Sequence, residues 1–191
     1  MRLLLMLAML IALTSYGQTI TFREASYPNG MRYPIIGYSD KQVELAINRD
    51  LEKQVEKYKS MDFCMGQFGY VQKTQYVQIH IYANCIDLDA SENIYQLYNL
   101  ENGENVPLSN MLNEEVLDEF TVFITNKVKA HMTSQSLTLN EEEIKAISFD
   151  DFTAEFTKDG MFLISKSISN WDKKMKITWN ELQTYLRFTW I

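Results

Sequence analysis

Glycine and proline are scarce in this chain, seven and three in 191 residues. With 46% hydrophobic residues and frequent Tyr, Phe and Met, that composition favours a packed fold over disorder. No internal repeat, low-complexity tract or linker divides the sequence. Histidine is nearly missing: His80 and His131 stand far apart, with no His-x-x-x-His pair, which argues against a zinc hydrolase. Basic residues are outnumbered, 18 to 25, for a net charge of −7. An acidic surface disfavours nucleic acid and anionic membrane and suits a cationic protein partner. No apolar run reaches the roughly 20 residues of a membrane span. Gly-x-Ser-x-Gly and phosphate-loop motifs are absent as well.

Present instead is an N-terminus with the three parts of a secretory signal: Met1-Arg2, an apolar stretch from Leu3 to Leu13, then small residues. Ser15 and Gly17 occupy the −3 and −1 positions of a cut before Gln18. The expectation is a signal peptide over 1–17 and export to the periplasm or the medium. Gln18 stands where a lipoprotein would need cysteine, so no lipid anchor is expected. Removing 17 of 191 residues leaves 174, ample for one domain.

Along the mature chain, Gln18 to Tyr27 reads as a strand, Pro28-Asn29-Gly30 as a turn, and Tyr33 to Gly37 as an extended lead-in. Ser39 or Asp40 caps a helix whose stripe is Val43, Ile47, Leu51, Val55 and Tyr58. Asn93 to Leu100 is a strand, and Glu101 to Glu104 turns it back. A long helix is predicted from Ser109 as N-cap, burying Leu112, Val116, Phe120, Phe123 or Ile124, and Val128. Asn140 caps a shorter helix opened by Glu141, Glu142 and Glu143. Phe149 to Thr157 and Met161 to Ser169 form a hairpin about Asp159-Gly160. Met175 to Ile177 is a short strand, and Thr178-x-x-Glu181 boxes a terminal helix through Arg187. Strands and helices come in blocks, so the fold class is α+β. One domain is expected, mainly antiparallel sheet with two longer and two short helices; its halves run about 18–92 and 93–191.

The sharpest expectation concerns Asp62 to Gln72 and Tyr76 to Ile86, read as a hairpin. A turn centred between Thr74 and Gln75 pairs residues whose numbers sum to 149. Phe68–Ile81, Tyr70–Ile79 and Gly66–Ala83 then share one apolar face, while Gln67–Tyr82, Gly69–His80 and Val71–Gln78 share a more polar one. A slip of one residue would scramble both faces. This register sets Cys64 opposite Cys85 without using the cysteines as input. In an exported protein the two are expected to form a disulfide.

Several segments together resemble one family. Tyr33-Pro34-Ile35-Ile36-Gly37 ahead of a helix with Ile47-Asn48 is similar to the opening of the PdaC/RsiV-like extracytoplasmic domain. Asn99 to Ser109, with its Gly103 turn, resembles that family's second half, as does the finish from Phe149 through Trp179-Asn180-Glu181-Leu182. The family includes the accessory domain of the deacetylase PdaC and the lysozyme-binding outer domain of the anti-sigma factor RsiV. The resemblance implies a non-catalytic, non-enzymatic binding module without cofactor, recognising a protein (lysozyme-like) or a cell-wall glycan. Two loops depart from the family pattern, Asn84 to Glu92 and Ser169 to Lys173. Both could carry binding, which makes Asp87, Asp89, Glu92, Asn170, Trp171 and Asp172 the candidate contact residues.

Rival chemistry is thinly supported. Asp87-x-Asp89-x-Ser91 begins like a calcium loop, but Glu92 takes the glycine's place and Tyr98 the bidentate glutamate's. Carboxylates such as Asp87, Asp89 and Asp150 could serve an envelope hydrolase only if two of them face each other across a cleft. A structural or assembly role in the envelope would require a large apolar patch or a dimer interface.

Overall fold

The computed structural model describes residues 19–73, 75–89, 91–137, 147–165 and 174–187. The residues of the signal sequence, the Asn140 helix and the Trp171 loop with Asn170 and Asp172 lie outside them.

The architecture is a single α+β domain with three antiparallel sheets. β1 (Thr21–Ser26) pairs with β2 (Arg32–Gly37), so the extended lead-in at Tyr33 is itself a strand. α1 (Lys41–Val55) follows, capped by Asp40, whose carboxylate accepts from the N–H groups of Gln42 and Val43. Val43, Ile47, Leu51 and Val55 are its buried face, and Tyr58 extends it through a 3₁₀ turn over Glu56–Ser60. β3 (Cys64–Lys73), β4 (Tyr76–Cys85) and β5 (Glu92–Asn99) form the central sheet in that order. β3 and β4 pair in the expected register, from Lys73 opposite Tyr76 to Cys64 opposite Cys85. Gly66 lets β2 cross close by: a Cβ there would stand 2.1 Å from the Arg32 carbonyl oxygen.

The second half differs from expectation at its helix start. Ser109 caps nothing. Leu108–Met111 and Glu114–Val116 are 3₁₀ turns, and α2 runs only from Leu117 to Ser134, burying Phe120, Ile124, Val128 and Met132. Backbone pairing to the C-terminal segment explains the delay. Leu112 bridges Leu186, the N–H of Asn113 donates to the Tyr185 carbonyl, and that of Arg187 donates to Met111. β6 (Phe152–Phe156), β7 (Gly160–Ser165) and β8 (Met175–Thr178) make the third sheet. The Thr178/Glu181 capping box forms, yet its helix, α3 (Trp179–Leu182), stops short of Arg187.

Two apolar clusters result. One gathers α1, β2 and the odd-numbered residues Val77 to Cys85 of β4; the other gathers α2 and β6 to β8. β5 serves both, with Tyr98 in the first and Leu97 in the second, as the period-two alternation of a strand requires.

Candidate functional site

The Cys64–Cys85 disulfide forms, with Cα atoms 4.1 Å apart. It closes the open end of the β3–β4 hairpin. Both sulfurs are buried, but each cysteine has an exposed apolar neighbour. Phe63 is 78% exposed, Ile86 72% and Met65 44%. Phe63 also holds a φ of 40°, a left-handed conformation that a bulky side chain adopts at a cost of about 1–3 kcal/mol.

The segment behind Phe63 is tightly held. Asn29 donates through Nδ2 to the carbonyls of Tyr58 and Met61, each at 2.7 Å, and its own carbonyl accepts from the N–H of Cys64 at 2.9 Å. Gly30, at φ 96°, passes so close that a Cβ would stand 2.6 Å from the Cys64 carbonyl oxygen. The N–H of Asp62 donates to Asp87 Oδ2 at 2.8 Å, which extends the hairpin beyond the bridge. Phe63 is thus fixed from both sides while its ring stands in solvent.

Acidic residues flank this stretch in sequence, Asp62 ahead of Phe63 and Asp87 and Asp89 after Ile86. Asp62, Asp87 and Asp89 are exposed. Glu92 is placed differently from a loop carboxylate. It opens β5, and its carboxylate takes Lys57 Nζ and the Tyr58 hydroxyl. Those two bonds, the lysine's first, hold Glu92 below the usual carboxylate range. Burial and the Glu92 carboxylate push the Tyr58 hydroxyl up. Glu92 thus braces the 3₁₀ turn against β5 through Oε2, and Asp87 braces the Asp62 backbone through Oδ2. Among the described residues, no three His, Cys, Asp or Glu side chains cluster to hold a metal ion.

Asp150 lies elsewhere, in a groove between β5 and β6, where it accepts from the N–H of Ser109 at 2.9 Å. Asp87 and Asp89 do not line that groove, and Asp150 is its one lining carboxylate among the described residues. Phe63 and Ile86 escaped the sequence reading, although a signal for them existed. The register that paired the cysteines also sets 63 against 86, two large apolar residues beyond the last buried pair.

No family model matches the chain, and no curated protein matches it. Among the solved structures similar to it are two from the DUF3298 family. A member of the DUF3298 family from Bacteroides fragilis aligns at 9% identity over 90% of this chain and 94% of its own, with a TM-score of 0.45. A DUF3298 family protein from Pseudomonas aeruginosa aligns at 10% identity over 89% and 93%, also with a TM-score of 0.45. No residue role passes from either to this chain.

Proposed function

We propose that this chain is a non-catalytic binding module that works outside the cytoplasm and docks a basic protein surface on the Phe63–Ile86 cluster. The observation that carries the reading is Phe63, a strained, braced and solvent-exposed aromatic beside a disulfide. Backbone strain persists where the surrounding structure enforces it, and such strain concentrates at functional positions. Rigid aromatics lose little entropy on binding and dominate interface energies. The flanking Asp62, Asp87 and Asp89 and the net charge of −7 select a cationic partner. The disulfide fits an oxidising compartment, and no helix among the described residues is long and apolar enough to cross a membrane. The resemblance to a lysozyme-binding outer domain points the same way.

Calorimetric titration with a lysozyme, and separately with soluble muropeptides, tests this reading. The lysozyme should bind at micromolar concentration or tighter. Phe63→Asn should weaken it by about 2 kcal/mol while leaving the melting temperature unchanged or higher, because asparagine tolerates left-handed backbone. Binding that survives Phe63→Asn, or turnover of peptidoglycan by the pure chain, would overturn it.

A further inference from the structure

β5 is an edge strand of the central sheet, on the far side of β4 from β3. Its outward peptide groups can be identified by alternation. The Leu97 carbonyl accepts from the N–H of Val106 at 2.7 Å, and the N–H of Asn99 donates to the Glu104 carbonyl at 3.0 Å. Leu97 and Asn99 therefore turn their peptide groups away from β4, and by the period of two so do Tyr95 and Asn93. Segment 104–106 thus begins a fourth strand antiparallel to β5, with Asn105 bridging Tyr98.

That strand stops after one bridge. Pro107 diverts the chain into the 3₁₀ turn at Leu108–Met111. The outward groups of Asn93 and Tyr95, and the N–H of Leu97, are left without a backbone partner among the described residues. A groove of about 560 Å³ opens along this stretch, with Thr153 and Ala154 of β6 across from it. Unpaired edges invite strand addition, and proteins commonly block them with charge, proline or a covering loop. Here Asn93, Gln96 and Asn105 line the groove with neutral amides, Gln96 pairing with Asn105, while Asp150 in the lining and the Lys174–Glu155 pair at the Tyr95 hydroxyl are charged.

We propose that the β5 edge accepts an extended, unstructured segment of a partner protein as an added strand, antiparallel to β5 and continuing the line of Glu104–Val106. The partner's backbone would exchange N–H···O=C pairs with Tyr95 and then Asn93. Its side chain opposite Tyr95 would point to the same side as Leu97 and Val106, into the groove toward Ala154, and so would be apolar. The next side chain would point away and tolerate polar residues. Backbone bonds would supply affinity, and the alternate pocket would supply selectivity. This site uses none of the residues of the Phe63 cluster, so either can fail alone.

A phage-displayed library of short linear peptides, panned on the intact protein, supplies the probe, and amide exchange read by NMR locates it. In the free protein, the N–H groups of Tyr95 and Leu97 should exchange much faster than those of Ile94 and Gln96. A selected peptide should slow Tyr95 and Leu97 by at least about tenfold. N-methylation of the peptide at alternate residues should abolish binding, and methylation at the intervening residues should not. Tyr95→Pro removes an outward donor without touching the β4 ladder and should weaken the peptide at least about tenfold, while Phe63→Asn leaves its affinity unchanged. The proposal is overturned if panning yields no binder. It is equally overturned if the binders leave exchange at Tyr95 and Leu97 unaltered, or if muropeptides and not peptides protect those amides, which would make the groove a glycan site.

Discussion

The half of the molecule built on α1 closes over Ile47, Leu51, Tyr58 and Ile79, and a disulfide ties off its hairpin. The half built on α2 closes over Phe120, Phe152, Met161 and Trp179, with no cysteine at all. Its elements are linked by polar side chains without a disulfide, whereas the first half has the disulfide in addition to links such as Asn29 to Tyr58 and Lys57 to Glu92. Lys127 on α2 pairs with Glu181 on α3, and Arg187 reaches Glu114 and the Leu112 carbonyl. The first half adds one covalent bond beside exposed groups to its polar links, while the second relies on a larger aromatic core. A strained surface cluster needs a rigid base, and the bridge supplies that base locally.

Removing the bridge tests the comparison most strongly. Cys64→Ser with Cys85→Ser should cost about 3 kcal/mol in urea unfolding, the chain-entropy value for a loop of this length. Native-state amide exchange should speed up in β3 and β4 well before β6 to β8. Equal acceleration in both halves would show that they open as one unit. The unfolded, unreduced wild type should contain no free thiol.

Gln78 offers the next largest effect, because it joins the halves. It is 4% exposed, its Nε2 donates to the Ala154 carbonyl, and its Oε1 accepts from the N–H of Phe156, both at 2.7 Å. The side-chain amide thus occupies the outer edge of β6 much as a neighbouring peptide bond would. Gln78→Ala orphans a buried donor and a buried acceptor and should cost about 2 kcal/mol. A variant as stable as wild type would mean that water replaces both bonds.

The smallest effect belongs to pH. The bond from Lys127, then the Thr178 N–H, holds Glu181 down to about 2. A depressed carboxylate stabilises the fold above its ordinary range near 4.5 and loses that contribution as pH falls through about 2. The pair is about a third exposed, so solvent screening keeps the gain under about 1 kcal/mol. Glu181→Gln retains a capping-box residue but not the charge. Its melting temperature should lie slightly below wild type at neutral pH, and the gap should close near pH 2. A gap that persists there would assign the effect to packing.

Local pattern carried the first half. Adjacent strands, a central turn and one apolar face define the β3–β4 register with no distant information, and the α1 stripe emerges with its buried residues in place. The second half was legible in its elements but not in their limits. Leu112 and Val116 fit the helical spacing of α2, yet that stretch is claimed by backbone bonds to residues 185–187, which lie some seventy positions away. Gln78 falls on the more polar face of the hairpin, and alternation in β4 says nothing about what covers that side. At the candidate site, Asp87 and Asp89 were visible as loop acids. The commitment of Glu92 to Lys57 and Tyr58 was not, since it depends on where the 3₁₀ turn ends.

The bridge has one more consequence, which concerns damage. Residues 64–85 form a closed covalent ring, with peptide bonds on one side and two sulfurs on the other. A protease that cuts one bond inside the ring linearises it but releases no fragment. Both pieces stay in register on the same sheet, with Phe63 and Ile86 still fastened at its rim. The surface around Phe63 and Ile86 can therefore outlast the integrity of the chain that made it.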